Sequence, residues 1–467
     1  MQDALGVHVF GRGFGESIVL EFPNGRVGLI DCFSPQLTIP EGQTRLSVNP
    51  VLRFLKNELR AESLAFVGLT HPHEDHGRGL SHVLEEYRGR IGQIWMFQGF
   101  QSLYLERLLH ALRASAIQLP IEELLNEPPG TFAFEIATIR DRVLDQIDPQ
   151  KTNRAKFRFF QGYKQFAIPD EPVSCRFLGP SDGHAAAYEA NLVDSLATAF
   201  DPSGQYVVPD WAPDSINHNL ISSALLISYG QTRVLLGGDM ELEAWNDALR
   251  EQQGSSETDT DLDCHVIKAP HHGSVTGWHS AFTERLPIDG RPPIAILTPF
   301  NRHRHPLPTA DGINQWLPSV SELLVTNVEA VRRSVHRSIA ARRPTDSEDS
   351  IASPSQIPLS WWEDIRSRPE LLGALNPKLT ESLPEASLPA PVAQIPLRWY
   401  RDITSNLSLR GLLAPELTVD STRNDSTLTL ETDCRVSLYF NDSGEELREH
   451  RYVGSAAGSW VASSEFA

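Results

Sequence analysis

Apolar positions along the first thirty residues fall in short runs broken by glycine and polar turn residues, the pattern of a meander of strands. "VHVF" (7–10) and "SIVLEF" (17–22) read as two strands, with the Gly-rich "GRGFGES" (11–17) as the turn between them. "NGRVGLIDCF" (24–33) adds a hairpin turn at Asn24-Gly25 and ends a strand at Asp31. "VNPVLRFLKNEL" (48–59) switches to helical spacing. "SLAFVGLT" (63–70) is apolar throughout and reads as a buried strand, and "GLSHVLEEYRG" (79–89) as a helix.

Beyond residue 100 the pattern is less regular. "LYLERLLHALRA" (103–114) and "EIATIRDRVLDQI" (135–147) have helical spacing. "NRAKFRFFQGYKQF" (153–166) interleaves basic and aromatic residues, which suits either stacking on a nucleic acid or a twisted hairpin with one solvated face. "LISSALLISYG" (220–230) and "RVLLGGDM" (233–240) form a strand pair with Asp239 at its end. "CHVIKAP" (264–270), "IAILTPF" (294–300) and "ELLVTN" (322–327) continue an α/β order to about residue 330.

The predicted organisation is a main domain over 1–342, less orderly at about 100–217 where the family resemblance given below implies an insertion, a linker at 343–355, and a small α+β module over 356–467. The linker is inferred from its Ser, Asp and Pro content. The module contains an internal repeat: "QIPLSWWEDIRSRPELLGALNPKLT" (356–380) recurs as "QIPLRWYRDITSNLSLRGLLAPELT" (394–418). A β-hairpin tail follows, and the module suits docking of a protein partner or packing as a lid.

Composition narrows the class. Of 467 residues, 40% are hydrophobic and 22% charged, as in ordinary globular proteins. No apolar run reaches the ~18 residues that span a bilayer, and the first ten residues lack a signal-peptide pattern. The four cysteines are scattered without a CxxC pair, which argues against a thiolate metal site and suits a reducing cytoplasm. A formal net charge of −19 disfavours broad binding to a polyanion, though a local basic groove is compatible with it.

The chemistry concentrates in "THPHEDHGRG" (70–79). His71, His73, Asp75 and His76 sit on a predicted strand-to-helix loop, where rigid elements hold functional groups in place. His71 and His73, two apart on extended chain, can reach one ion, and Asp75 with His76 a second. Imidazole and carboxylate without thiolate suit Zn²⁺, Mn²⁺ or iron.

"HPHEDH" resembles the HxHxDH signature of the metallo-β-lactamase superfamily at every fixed position. The resemblance implies an α/β fold, an αββα sandwich with a site for two divalent ions, Zn²⁺ or Mn²⁺, at one edge. It also implies further ligands: Asp239 bridging the two ions, His218 or its neighbour Asn219 in a third motif, and His272 or His271 in "APHHGS". Asp31 would support a ligand histidine from behind. "VHVFGRGFGESIVLEF", "LIDC", "HHGS" and "NRHRHPLP", in that order, are similar to the hydrolase domain of the ComEC-like branch of DNA-uptake proteins. That likeness places His305 on the substrate side, near a phosphate or leaving group.

The implied activity is hydrolysis by a metal-bridging hydroxide steered by Asp75, most naturally of a phosphodiester, as in a nuclease. Two alternatives are amide, thioester or lactone hydrolysis at the same site, and a non-catalytic interaction protein recruiting partners through residues 356–467.

Overall fold

A computed structural model describes residues 4–35, 39, 43–116, 131–162, 165–198, 216–254, 262–301, 306–341, 434–444, 446, 452–453 and 458–459. The chain divides into two units. The first comprises Met1–Ala340 and Asp433–Val461; the second, Ala341–Thr432 with Ala462–Ala467, lies outside the described residues except for Ala341. The internal repeat and the linker therefore lie outside them too.

The first unit is built on two mixed sheets. The first half of the chain supplies β1 (Leu5–Phe10), β2 (Ser17–Glu21), β3 (Val27–Ile30), β4 (Leu64–Leu69), β5 (Ile91–Met96) and β6 (Lys156–Phe159). β7 (Gln165–Ala167), β8 (Val173–Leu178), β9 (Ala224–Tyr229), β10 (Thr232–Leu236), β11 (Val266–Lys268), β12 (Ile294–Leu297) and β13 (Glu322–Val325) follow. Three short strands come from the tail: β14 (Arg435–Phe440), β15 (Tyr452–Val453) and β16 (Gly458–Ser459). One sheet runs β15-β14-β1-β2-β3-β4-β5-β6 and the other β16-β13-β12-β11-β10-β9-β8-β7. β3 to β6 are parallel to one another, as are β10 to β13.

Alternation along the strands fixes the layers. Leu5, Val7 and Val9 of β1 and Ile18 and Leu20 of β2 face the second sheet, where they meet Leu225, Ile227, Val234, Val266 and Ile296. Phe66 stacks on Trp95 at 3.8 Å in the same layer. Opposite-facing residues, among them Val19, Leu29, Val67 and Ile94, pack on Leu52, Leu55, Val83, Leu105 and Ile139 of the covering helices. On the far side of the second sheet, Leu235, Ile267 and Leu297 are also fully covered. Trp245, Phe282 and Trp316, from helical segments after β10, β11 and β12, pack together, the first pair edge to face at 5.0 Å and the second tilted at 5.7 Å. Two mixed sheets flanked by helices make an α/β, αββα sandwich. No described helix is long and apolar enough to cross a membrane.

Four sequence expectations change. The helix over 48–59 is broken, because Pro50 has no amide hydrogen to continue it; Asn49 instead caps a new turn by accepting from the Leu52 amide, and Phe54–Glu58 winds more widely. The basic-aromatic segment is not a hairpin, since β6 ends one sheet and β7 ends the other. Arg158 of β6 lies over the Phe166 ring and donates to Gln93. The stretch 100–217, expected as an insertion, is woven into this unit: it provides edge strands to both sheets, and Leu105, Ile136 and Tyr188 of its helices belong to the core. The tail hairpin forms, β14 against β15, but it belongs to the first unit: β14 pairs with β1 from Leu5↔Phe440 to Phe10↔Arg435. Alternation explains this, because Val436, Leu438 and Phe440 fill the layer between the sheets.

Candidate metal centre

The parallel strands of both sheets end at one place. Asp31 follows β3 and Thr70–His76 follow β4, while Asp239 follows β10, His271 and His272 follow β11, and Thr298 follows β12. Strand ends of an open α/β sheet are where side chains can converge without breaking the ladder. Gly238 takes φ +52°, and a Cβ there would lie 2.6 Å from the Ser223 carbonyl oxygen, so the turn that delivers Asp239 requires glycine. The Asp239 amide donates to Ser222 Oγ at 2.8 Å. His271 and His272 both adopt the left-handed region, with φ 46° and 52°. That conformation costs roughly 1–2 kcal/mol for a side chain of this kind, and the turn that carries it aims the two rings in different directions.

Two ligand groups result, sharing Asp239. Asp75, His76, Asp239 and His272 bring one donor atom each within 4.8 Å of one another, and so do His71, His73 and Asp239. Asp239 presents one oxygen to each group. Its Oδ1 is 3.2 Å from His76 Nε2 and 3.9 Å from His272 Nε2, and its Oδ2 is 3.7 Å from His71 Nε2. His71 Nε2 and His73 Nδ1 converge at 2.9 Å. The His218 ring lies 5.3 Å from that of His73, on the side of the second group. Asn219 is half-buried, its backbone amide donates to Asn217 Oδ1, and its side-chain oxygen is buried with no hydrogen-bond partner. His272 is buried with Nε2 2.8 Å from Asp75 Oδ2. His271 turns away, its Nδ1 3.1 Å from Glu241 Oε1. His305 lies outside the described residues.

The histidines are oriented from behind. Asp31 accepts from His76 Nδ1 at 2.7 Å, and from the Thr70 amide and hydroxyl at 2.8 Å each. The Thr70 hydroxyl, having given its hydrogen to Asp31, is left to accept from His71 Nδ1 at 3.0 Å. The Thr298 hydroxyl donates to Glu16 at 2.6 Å and so accepts from His272 Nδ1 at 3.1 Å, a contact shared with the Thr298 carbonyl oxygen at 3.2 Å. His218 Nδ1 meets the Tyr188 hydroxyl at 3.1 Å. With Nδ1 engaged in each case, Nε2 is the atom left to face the centre, the arrangement that fixes tautomer and ring angle in metal sites.

The electrostatics call for cations. Glu16, Asp31, Asp75 and Asp239 are buried carboxylates, and Lys268 is the buried ammonium among them. Burial opposes the charge on Asp75, but His76 and His272 pull its carboxyl down to about 2. Burial likewise opposes charge on Asp239, yet His76, His272 and His271 hold it well below the usual carboxylate range. Burial would keep His76 neutral, and Asp239, Asp75 and Asp31 instead raise it well above 6.5. Burial lowers His71 and His218 well below 6.5 and lowers His73 too, so these rings are neutral and can offer lone pairs. Nε2 of His73 and His76 and Oδ1 of Asp239 are buried with no hydrogen-bond partner. A buried donor or acceptor left unmade costs about 1–3 kcal/mol. Cations bound between the groups would satisfy His76 Nε2 and Asp239 Oδ1 and neutralise the carboxylates, so the residues fit a pair of divalent ions.

Sequence reasoning missed Glu16, Lys268, Thr298, Thr70 and Tyr188. Two of these carried a signal: a carboxylate closing the Gly-rich turn just before an apolar strand, and a lysine inside the apolar "VIKAP". The hydroxyl residues carried none, since nothing local marks a serine, threonine or tyrosine that meets a histidine only in the fold.

No protein-family model matches this chain, and no curated protein matches it. Among solved structures, the metallo-β-lactamase fold protein YhfI from Bacillus subtilis matches at 12% identity and TM-score 0.27, over 57% of this chain and 71% of that one. CmlA, a diiron β-hydroxylase from Streptomyces venezuelae, matches at 11% and TM-score 0.27, over 58% and 34%. Zn²⁺-bound PqqB from Methylobacterium extorquens matches at 13% and TM-score 0.22, over 54% and 58%. The match spans less than two thirds of the latter two chains. Similarity at this level transfers no ligand or activity to this protein, whose centre stands on its own residues.

Proposed function

We propose that this protein is a metallohydrolase of the metallo-β-lactamase superfamily, of the ComEC-like branch, that binds two divalent ions and cleaves phosphodiesters. One observation carries the proposal: Asp239 offers a separate carboxylate oxygen to each of two buried His-rich groups. His71, His73, His218 and Asp239 would hold one ion, and Asp75, His76, His272 and Asp239 the other. Bound there, divalent ions supply a water acidified toward pKa ~7 and positive charge for a pentavalent phosphorus centre.

The chain's own residues do the rest. Asp75 would accept a hydrogen bond from the attacking water and hold it in line. Asp31 and Thr70 keep His76 and His71 in one tautomer, so the ligand atoms need not reorganise. Phe300, half-buried, lies 5.4 Å from the His272 ring, and Phe14 lies 5.1 Å from Phe300. Aromatic rings beside the centre suit a substrate that presents a flat base, which supports a nucleotide-containing phosphodiester.

The test is metal analysis followed by assay. Protein loaded with Mn²⁺ or Zn²⁺ should hydrolyse DNA, RNA or bis(p-nitrophenyl) phosphate, and Asp239→Ala should reduce turnover to background and weaken metal binding by about 100-fold or more. Metal-loaded protein that leaves every phosphodiester intact while opening a lactone or thioester would overturn the phosphodiester assignment and keep the centre.

A further inference from the structure

Glu16 and Lys268 form a buried ion pair directly behind one half of the centre. Both are fully covered, and Lys268 Nζ lies 2.6 Å from Glu16 Oε2. The remaining contacts of Glu16 are asymmetric. Oε2 also accepts from the Thr298 hydroxyl at 2.6 Å and sits 3.5 Å from His272 Nδ1, while Oε1 is 3.8 Å from His76 Nδ1. His272 and His76 belong to the same ligand group, the one completed by Asp75. The Glu16 amide donates to the Asp75 carbonyl oxygen at 2.8 Å, so the backbone of the third member is tied to Glu16 as well. Glu16 makes no such contact with His71 or His73 among the described residues. Asp31 differs, because through His76 and through Thr70 it supports both groups.

Lys268 closes the arrangement from the other sheet. It ends β11, four residues before His272, and its ammonium also donates to the Ala269 carbonyl oxygen at 2.8 Å. Lys268 and the Thr298 hydroxyl both donate to Glu16 Oε2, which leaves the lone pairs of the Thr298 hydroxyl to face His272.

We propose that Glu16, Lys268 and Thr298 are positioning residues that set the affinity of one of the two ions, the one held by Asp75, His76, His272 and Asp239, without setting the other. The inference rests on the two-ion proposal above. It adds that the two positions are separately tuned, so that loss of the relay weakens one ion and not the other.

The test is a chelator-competition titration of metal-free protein with Zn²⁺, run beside thermal melts. Wild-type protein should bind two ions. Thr298→Val keeps the side chain's shape and the Thr298 carbonyl's contact with His272 Nδ1 and removes only the hydroxyl relay; it should weaken one ion by about 10- to 100-fold and leave the other unchanged. Thr298→Ser, which keeps the hydroxyl, should restore both. Glu16→Gln should act like Thr298→Val; because it breaks a buried pair and can unfold the chain, the Thr298 variants decide if its melt is lost. Wild-type protein holding two ions while Thr298→Val holds both at wild-type affinity, or loses both equally, overturns this inference alone. Wild-type protein that binds fewer than two ions overturns the two-ion proposal, and this one with it.

Discussion

At the scale of single residues, direction matters more than identity. His271 and His272 are adjacent and chemically equal, yet one strained turn sends His272 to Asp75 and His271 to Glu241. His272→Ala should therefore cost one bound ion per chain by elemental analysis, while His271→Ala should leave the metal content at the wild-type level. Equal losses in the two variants would mean that the turn opens to admit both rings. The first cluster was legible in the sequence because its four ligands lie within six positions. Its partners were legible as candidates only, since spacing lists the side chains available and says nothing about where each ring points.

The elements are joined by seams that carry their own titration. His8 of β1 is buried between Phe54 and Tyr439, at ring distances of 4.9 and 5.3 Å, and its Nδ1 meets Ser437 of β14 at 2.9 Å. Burial lowers its pKa below 6.5, against the pull of Glu21. The unfolded chain takes up a proton at about 6.5, and the folded chain does so only at lower pH. The stability tied to a neutral His8 is therefore complete above pH ~6.5 and is lost as pH falls through the folded value. Melting temperature should fall with pH across that window, and His8→Gln should flatten the slope; an unchanged slope would place the proton elsewhere. Strand positions were readable here because each long strand is a short apolar run bounded by turn residues. The seam between β1 and β14 was not, because 429 residues separate His8 from Ser437 and no local pattern encodes such a pairing.

For the whole molecule, the tail decides what can be removed. Cutting the chain before Gln356 looks harmless if residues 356–467 form an appended module. It would instead strip β14 from β1 and expose the layer that Val436, Leu438 and Phe440 fill. At about 2 kcal/mol for each buried side chain, the loss is on the order of 5 kcal/mol, comparable with the net stability of many domains. The truncated protein should melt far lower than the full chain or fail to express in folded form. A truncation that melts like the full chain would show the tail strand to be dispensable.

The sequence by itself determined the elements and the kind of chemistry. Alternation dictates strands, an apolar run bounded by turns dictates burial, and imidazoles crowded beside a carboxylate imply a cation, all within a few residues of chain. Tertiary structure alone decided which groups meet: Asp239 between two sets of histidines, Glu16 under His272, β14 beside β1. The physical reason is range. Backbone propensity and side-chain periodicity act over a single turn or strand, whereas a shared carboxylate or a buried ion pair exists only once two sheets have closed on each other and excluded water from between their ends.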